Sequence, residues 1–467
     1  MIPIPFYAQQ RIAVFGLGRT GQSAVRALVA GGAEVLVWDD DPDRRGRAET
    51  LGGRAVPPSP EGWSGVRAVV LSPGVPLTHP QPHPVVRLAE RLGAEVLGDV
   101  ELFARSRPAG AVIGITGTNG KSTTTALIAH ALNALGRPAQ AGANLGTPVL
   151  AFEPPAAESA SVLELSSYQI DLTRSLQPDI AVLINLSPDH LDRHGSMAGY
   201  VAAKRRLLTM NRRAVCVCGV DDEWSAAMAD DLERAGHKVV RIGLTNPPAA
   251  GLTAAEGRLY RCDGEARELL ADLRAVTTLQ GAHNAQNACC ALAVLEALGF
   301  EHAAIGAALA TFPGLDHRMQ PLEPVGAVRF VNDSKATNAE AAWQALSTYR
   351  GIYWIAGGRP KAGGIEGLRP LFGNLRRAFL IGEAEDDFAR SLGSDVPHET
   401  CGTLEAAVAA AYRAALADGG TDPVVLLSPA CASFDQFPSF EARGEAFAAL
   451  VDALRTAPAA PRRAASC

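Results

Sequence analysis

The sequence has no excess of basic residues and no long apolar run. Its formal net charge is −6 and its charged fraction is 20%, so nucleic acid and anionic membrane surfaces are not expected as partners. No stretch reaches 18 uninterrupted apolar residues, and residues 1–7 carry two prolines without a charged or apolar signal region. We therefore expect a cytoplasmic protein.

The cysteines lack the spacing of a metal site. The chain has 8 cysteines but no C-x-x-C pair, and Cys216 and Cys218 lie in an apolar run that predicts a buried strand. This usage favours a reducing compartment, and we expect these two thiols to belong to a core.

The length of 467 residues predicts roughly three domains. Strand and helix patterns alternate, which predicts an α/β fold with mainly parallel sheets. We expect a Rossmann-like domain at 1–106, a central P-loop-type mononucleotide-binding α/β domain at 107–313 and a Rossmann-like C-terminal domain at 314–455. Residues 456–467, rich in Ala and Pro, are expected to form a disordered tail.

The most informative stretch is a strand, a glycine loop and a helix start at residues 112–124. Backbone N–H groups in such a loop bind phosphate oxygens, Lys121 would neutralise the β- and γ-phosphates, and the Ser122 hydroxyl would hold Mg²⁺. The spacing departs from G-x-x-x-x-G-K-[ST], because position 115 is Ile. The alternative is an ordinary turn with a surface lysine. The phosphate-binding candidates are Gly117, Thr118, Asn119, Gly120, Lys121, Ser122 and Thr123.

A second glycine pattern, Gly16-x-Gly18-x-x-Gly21, follows an apolar strand near the N-terminus. The next strand ends at Asp39, where an NAD-binding fold places its ribose-binding acid. Taken alone, this pattern suggests a dehydrogenase. A glycine turn at a helix N-terminus also binds other pyrophosphates, including that of a UDP-sugar.

Two residues of the central part suggest metal chemistry. Glu164 lies inside an apolar strand, where a carboxylate is expensive unless a cation pairs with it. His190 follows the next strand, so that Glu164 and His190 are candidate Mg²⁺ ligands; the alternative for His190 is a capping or core histidine. Lys204 lies in a helical pattern, where most lysines are solvated.

Further polar groups lie farther along the chain. Asn284 and Asn287 share a helix face and are candidates to bind an adenine edge, whereas the alternative is an N-cap and a surface amide. Three strands of the last unit end in basic or hydroxyl-bearing loops, at 332–338, 357–364 and 428–433. Such a ring of groups suits a small anionic molecule.

These motifs resemble those of the Mur ligases, the ATP-dependent amide-forming enzymes of peptidoglycan precursor synthesis. The resemblance covers all three units. The phosphate loop is common to the superfamily, whereas the stretches 333–338 and 428–437 resemble the branch that adds D-glutamate. The segment 98–103 agrees with this.

The resemblance implies roles for individual residues. Positions implied to bind the UDP-sugar are Arg19, Thr20, Asp39, Gly74 and Asn144. Positions implied to contact ATP are Lys121, Asn284, Asn287, Arg318 and Asp333. Positions implied to hold two Mg²⁺ ions are Ser122, Glu164, His190 and a carbamylated Lys204. Positions implied to contact D-glutamate are Lys335, Thr337, Lys361, Ser433, Phe434 and Phe440. Arg359 departs from the Asp of many members.

The implied activity is ATP-dependent addition of D-glutamate to UDP-N-acetylmuramoyl-L-alanine through an acyl phosphate, with release of ADP and phosphate. We expect a monomer. The alternatives are an NAD-dependent dehydrogenase, another amide ligase of the superfamily, and a non-catalytic nucleotide-binding scaffold. The dehydrogenase leaves the second phosphate loop unexplained.

Overall fold

A computed structural model describes residues 1–360 and 363–456. The chain divides into two compact units, one of Met1–Ala275 with Ala282–Phe312, and one of Val276–Gly281 with the chain from Pro313 onward. Three sheets with helices packed against them confirm the predicted α/β class. None of the helices in the described part of the chain combines the length and apolar character that a bilayer span requires.

The first sheet is parallel throughout, with strand order β3-β2-β1-β4-β5. Its central strands are continuous apolar runs because both faces of a parallel sheet are buried. The strands are β1 Arg11–Phe15, β2 Glu34–Trp38, β3 Arg54–Ala55, β4 Val66–Leu71 and β5 Glu95–Leu97, and the helices are α1 Arg19–Ala30, α2 Pro42–Glu49, α3 Pro84–Leu92 and α4 Asp99–Arg105.

The second sheet has the order β14-β13-β12-β11-β10-β9-β6-β8-β7. It is parallel from β7 to β12, and β12, β13 and β14 form an antiparallel meander. The strands are β6 Ala111–Thr116, β7 Ala139–Ala143, β8 Ala160–Glu164, β9 Ile180–Leu183, β10 Val215–Gly219, β11 Lys238–Ile242, β12 Ala250–Ala255, β13 Arg258–Asp263 and β14 Ala266–Asp272. The helices are α5 Lys121–Ala134, α6 Ser167–Asp171, α7 Leu191–His194, α8 Met197–Thr209, α9 Glu223–Arg234, α10 Ala282–Ala297 and α11 His302–Ala310.

The third sheet, in the second compact unit, has the order β15-β16-β20-β17-β18-β19. Only the edge strand β15 is antiparallel. The strands are β15 Gln320–Val325, β16 Val328–Asn332, β17 Ile352–Gly357, β18 Leu375–Ile381, β19 His398–Gly402 and β20 Val424–Leu427, and the helices are α12 Ala339–Thr348, α13 Glu385–Leu392, α14 Leu404–Ala417 and α15 Phe440–Thr456. Thr456 therefore ends a helix, and the rest of the expected tail lies outside the described residues.

Two local features hold elements in place. The edge strand β7 continues to Ala143 because it pairs with β8. Arg105 ends α4, and its guanidinium donates to Glu95 and Glu101 at 2.9 and 2.8 Å. The core prediction for Cys216 and Cys218 is confirmed, since both are fully buried.

Candidate functional site

The phosphate-loop candidate follows β6 and ends where α5 begins. The Thr118 N–H donates to Asn185 O, and the Asn119 N–H donates to Asn185 Oδ1, both at 2.9 Å. The Thr118 hydroxyl is 3.1 Å from the Tyr200 hydroxyl. The loop is thus fixed by the ends of β9 and by α8 before any ligand is considered.

Asn287 supports the same loop from α10. Its Oδ1 accepts a hydrogen bond from the Thr124 hydroxyl at 3.1 Å, and its Nδ2 donates to Asn284 Oδ1 at 3.2 Å. Gly120 has φ +84°, and a Cβ there would lie 2.4 Å from Asn287 Oδ1, so only glycine fits. Both amides are buried, and the surface-amide alternative is therefore wrong.

Two lysines approach one carbonyl group of this loop. Lys121 Nζ donates to Gly117 O at 3.0 Å and to Thr118 O at 2.6 Å. Lys204 Nζ donates to Gly117 O at 2.8 Å. Like charges this close repel, so the pair favours either an anion beside it or loss of one proton.

Lys204 is not a solvated helical lysine, since its exposed fraction is 2%. Its amine also donates to Thr116 Oγ1 at 3.3 Å and lies 4.7 Å from the centre of the Tyr200 ring. Burial, followed by the nearby charge of Lys121, holds the pKa of Lys204 well below its ordinary value. The environment therefore favours the neutral, nucleophilic amine.

Glu164 ends β8 as a buried carboxylate with one satisfied oxygen. Its exposed fraction is 2%, and its Oε1 accepts a hydrogen bond from Asn144 Nδ2 at 2.6 Å. Its Oε2 is buried and has no hydrogen-bond partner among the described residues. An unpaired buried carboxylate oxygen is costly, so the site suits a cation.

The other two metal candidates lie at helix starts. Ser122 is the second residue of α5 and is half-buried. His190 has φ +53°, and its Nε2 lies 3.3 Å from Asp189 Oδ2. Because the residue is exposed, the core-histidine alternative is wrong. It occupies the N-cap position of α7, but its side chain makes no capping hydrogen bond. No group of three or more His, Cys, Asp or Glu side chains suited to a metal occurs in the described part of the chain.

The first glycine loop is built differently. Asp39 Oδ2 accepts a hydrogen bond from the Leu17 N–H at 2.6 Å, so this acid supports the loop itself. A Cβ at Gly21 would lie 2.0 Å from Gly16 O, which explains the third glycine. Arg19 and Thr20 begin α1, one exposed and one half-buried.

The turn that contains the exposed Gly74 is held by a residue that sequence reasoning missed. Arg193, buried in α7, donates from Nη2 to Val75 O at 2.6 Å and to Pro73 O at 3.4 Å. Its guanidinium also lies 4.9 Å from the centre of the Tyr168 ring. The only sequence signal was its place in the polar stretch after β9.

In the second unit, Asp333 is a buried acid at the end of β16. It accepts hydrogen bonds from the Ser428 hydroxyl at 2.8 Å and from the Met319 N–H at 3.1 Å. Burial raises its pKa to about 7, although these hydrogen bonds and the charge of Arg318 oppose the rise. Arg318 is half-buried.

The amino-acid candidates occupy neighbouring loops of this unit. Lys335 Nζ lies 3.8 Å from the centre of the Phe440 ring. Ser433 is buried and Phe434 is 63% exposed. Thr337 is half-buried, and its backbone N–H donates a hydrogen bond to Lys335 O at 2.8 Å. Lys361 lies outside the described residues.

The loop that begins at Gly357 contains Arg359, the residue that departs from the Asp of many family members. Arg359 is exposed, and its guanidinium pairs with Glu383 at 3.1 Å. Its backbone N–H donates to Ala432 O at 2.9 Å, so the loop is attached to the neighbouring one independently of the side chain.

A glycine loop between a parallel strand and a helix, followed by a lysine and hydroxyl residues at the helix start, has the arrangement of a P-loop-type nucleotide-binding site. Residues 115–295 match the Mur ligase middle domain. The chain is 53% identical to the UDP-N-acetylmuramoylalanine--D-glutamate ligase of Rhizobium etli, over 97% of each chain. It is 50% identical to that of a Caulobacter species, over 99% of this chain and 100% of the other.

Solved structures share the fold at lower identity. The ligase MurC of Thermotoga maritima superposes with a TM-score of 0.60 at 18% identity, covering 95% of this chain and 99% of the other. A MurF of Acinetobacter baumannii gives 0.58 at 19% identity, covering 80% and 82%. The chain belongs to the Mur ligase family and, within it, to the UDP-N-acetylmuramoylalanine--D-glutamate ligases of peptidoglycan precursor synthesis.

Proposed function

We propose that this chain joins D-glutamate to UDP-N-acetylmuramoyl-L-alanine, with conversion of ATP to ADP and phosphate. The observation that carries the proposal is the convergence of Lys121, Lys204 and Glu164 around the Gly117 loop. The sequence identity to curated relatives supports the choice of substrates.

The chemistry required is activation of a carboxylate, which does not react with amines as it stands. The alanine carboxylate attacks the γ-phosphate of ATP and becomes an acyl phosphate, and ADP leaves. The amine of D-glutamate then attacks the acyl carbon, a tetrahedral intermediate forms, and phosphate departs. Lys121 offsets the negative charge that otherwise repels the attacking carboxylate.

Magnesium fits the residues at this site. Glu164 offers a buried oxygen without a partner, and Ser122 and His190 lie at the starts of α5 and α7. Mg²⁺ on a phosphate keeps several waters and needs only one or two protein ligands, so a three-acid cluster is unnecessary. The ion would supply charge neutralisation at the phosphoryl oxygens.

We further propose that Lys204 carries a carbamate. The neutral amine, which the lowered pKa favours, adds CO₂ by forming an N–C bond and releases one proton, and the product is an anion for which Lys121 offers a counter-charge. The modified side chain would serve, with Glu164, as an acidic group toward Mg²⁺. The same change relieves the repulsion between the two lysines.

The residues that we propose to contact ATP are Gly117, Thr118, Asn119, Gly120, Lys121, Ser122, Thr123, Asn284, Asn287, Arg318 and Asp333. The UDP-sugar contacts are Arg19, Thr20, Asp39, Gly74 and Asn144, and the D-glutamate contacts are Lys335, Thr337, Lys361, Ser433, Phe434 and Phe440. We propose a cytoplasmic monomer with domain boundaries near 106 and 313. The separate sheets on either side of each boundary support this division.

The test is ADP release by the purified chain with each substrate omitted in turn. We expect release to require both UDP-N-acetylmuramoyl-L-alanine and D-glutamate, and a panel of amino acids to show D-glutamate as the best acceptor. Equal release without either compound would contradict the proposal. A better acceptor in the panel would assign the chain to another amino acid.

A further inference from the structure

Arg443, near the start of α15, is the most deeply buried arginine among the described residues that the proposed reaction does not use. Its exposed fraction is 1%. Its guanidinium donates from Nε to Ser334 Oγ at 3.0 Å, and from Nη2 to Ser334 O at 2.9 Å and Cys431 O at 3.1 Å. A longer contact of 3.4 Å joins Nη1 to Ala432 O. All four acceptors are neutral.

Among the described residues no carboxylate lies within ion-pair distance of Arg443, and the more distant charge of Asp435 only partly favours its charged form. Burying a guanidinium without a direct acidic partner is costly. Arg105 of the first unit shows the usual arrangement of a partly buried arginine, because its guanidinium forms ion pairs with the carboxylates of Glu95 and Glu101. Burial lowers the pKa of Arg443 to about 10, so the group remains charged at neutral pH. This positive charge can therefore attract an anionic ligand that binds nearby.

The guanidinium lies where three loops meet. Ser334 precedes the candidate Lys335, and its hydroxyl also donates to Phe440 O at 2.8 Å. Cys431 and Ala432 precede the candidate Ser433. The third loop packs on the same group, because a Cβ at Gly358 would lie 3.1 Å from Arg443 Nη1.

We propose that Arg443 is a positioning residue for the dicarboxylic amino-acid substrate. Its planar fork fixes the loops that carry Lys335 and Ser433, and its charge, which no carboxylate pairs with directly, makes that region attractive to a second carboxylate. This inference rests on the proposed function. Arg443 would act on the substrate indirectly, by holding in place the loops that contact it.

The test is steady-state kinetics of Arg443→Gln and Arg443→Lys, with KM measured separately for D-glutamate, ATP and the UDP-sugar. Loss of the charged fork predicts a KM for D-glutamate that rises about tenfold or more in Arg443→Gln. Arg443→Lys keeps the charge without the fork and should fall between that variant and the wild type. The other two KM values should stay within about twofold.

Arg105→Gln is the matched control, because it removes a second hydrogen-bonded arginine, less deeply buried and far from these loops in sequence. It should lower thermal stability and leave the KM for D-glutamate unchanged. Should Arg443→Gln fail to fold, Ser334→Ala applies the same criterion, since it removes the Nε acceptor and keeps the charge. There we expect a rise of about threefold in the KM for D-glutamate.

A KM for D-glutamate within about twofold of the wild type in a folded variant would overturn the proposal, because the role would then be structural alone. A parallel rise of all three KM values would overturn it as well. Failure of the proposed function looks different, since the wild-type chain itself would then release no ADP in response to D-glutamate.

Discussion

The chain contains two glycine loops, each between a parallel strand and a helix, and their surroundings differ. The loop at 16–21 is supported by an acid, since Asp39 accepts from the Leu17 N–H at 2.6 Å. The loop at 117–120 faces two lysines that share the Gly117 carbonyl. Each helix start offers backbone N–H groups, so the backbone alone does not distinguish the two loops.

The two loops therefore offer different charges to a ligand. A reacting triphosphate needs a fixed cation beside it, which the second loop has in Lys121, whereas Lys204 is the buried amine that we propose carries a carbamate. The first loop has Arg19 at the helix start and an acid behind it, which suits a pyrophosphate that is held and not transferred. The evidence against the dehydrogenase interpretation is the similarity of the whole chain to the ligases, since an NAD pyrophosphate would also be held and not transferred.

The largest effect is expected when the cation of the second loop, Lys121, is removed. Lys121→Ala should lower turnover at least about 1,000-fold, because the charge acts on the transferred phosphoryl group. Binding of the UDP-sugar, measured by calorimetry, should remain within about threefold of the wild type. Substantial turnover in this variant would remove the functional distinction between the two loops.

Lys204 offers the next test. Lys204→Ala should lose turnover about 100-fold or more, and millimolar acetate should restore part of it, because a small carboxylate can stand in for the proposed carbamate. Lys204→Gln in the same buffer is the control, since its side chain fills the space that acetate would need. If acetate restored neither variant and removal of CO₂ left the wild type fully active, the carbamate would be refuted.

The first loop is tested by Arg19→Ala. The KM for the UDP-sugar should rise about tenfold with that for ATP unchanged, because an exposed arginine at a helix start can bind only the ligand of its own loop. Arg26→Ala, on the same helix but away from its start, is the matched control. An increase in the KM for ATP instead would assign the loop to the other nucleotide.

The smallest expected effect concerns stability. Because burial lowers the pKa of Lys204, the unfolded chain binds more protons than the folded one between this lowered pKa and the ordinary value of 10.5, and stability rises with pH in that window. Lys204→Met should therefore raise the thermal midpoint most at neutral pH and progressively less toward pH 10, in CO₂-free buffer. Arg19→Met should show no such trend, since Arg19 is exposed. A constant difference across pH would contradict the lowered pKa.

Residue patterns located most elements and the polar strand ends, but burial was harder to anticipate. A helical lysine is ordinarily solvated, and the sequence around Lys204 has nothing local that marks it as buried. Its environment arises because α8 packs beneath the loop after β6, which lies 88 residues away in sequence from this side chain. Arg443 escaped notice for the same reason, since its acceptors come from loops after β16 and β20.

The sequence by itself determined the class of fold, the two glycine loops and the position of Glu164 in an apolar strand, because these depend on residues that are neighbours along the chain. Only the tertiary structure decided that Glu164 retains an unpaired oxygen and that Lys121 and Lys204 approach one carbonyl. The physical reason is the strand order β9-β6-β8-β7, which brings together side chains that are distant in sequence. Long-range packing sets burial, and burial sets the cost of a charge.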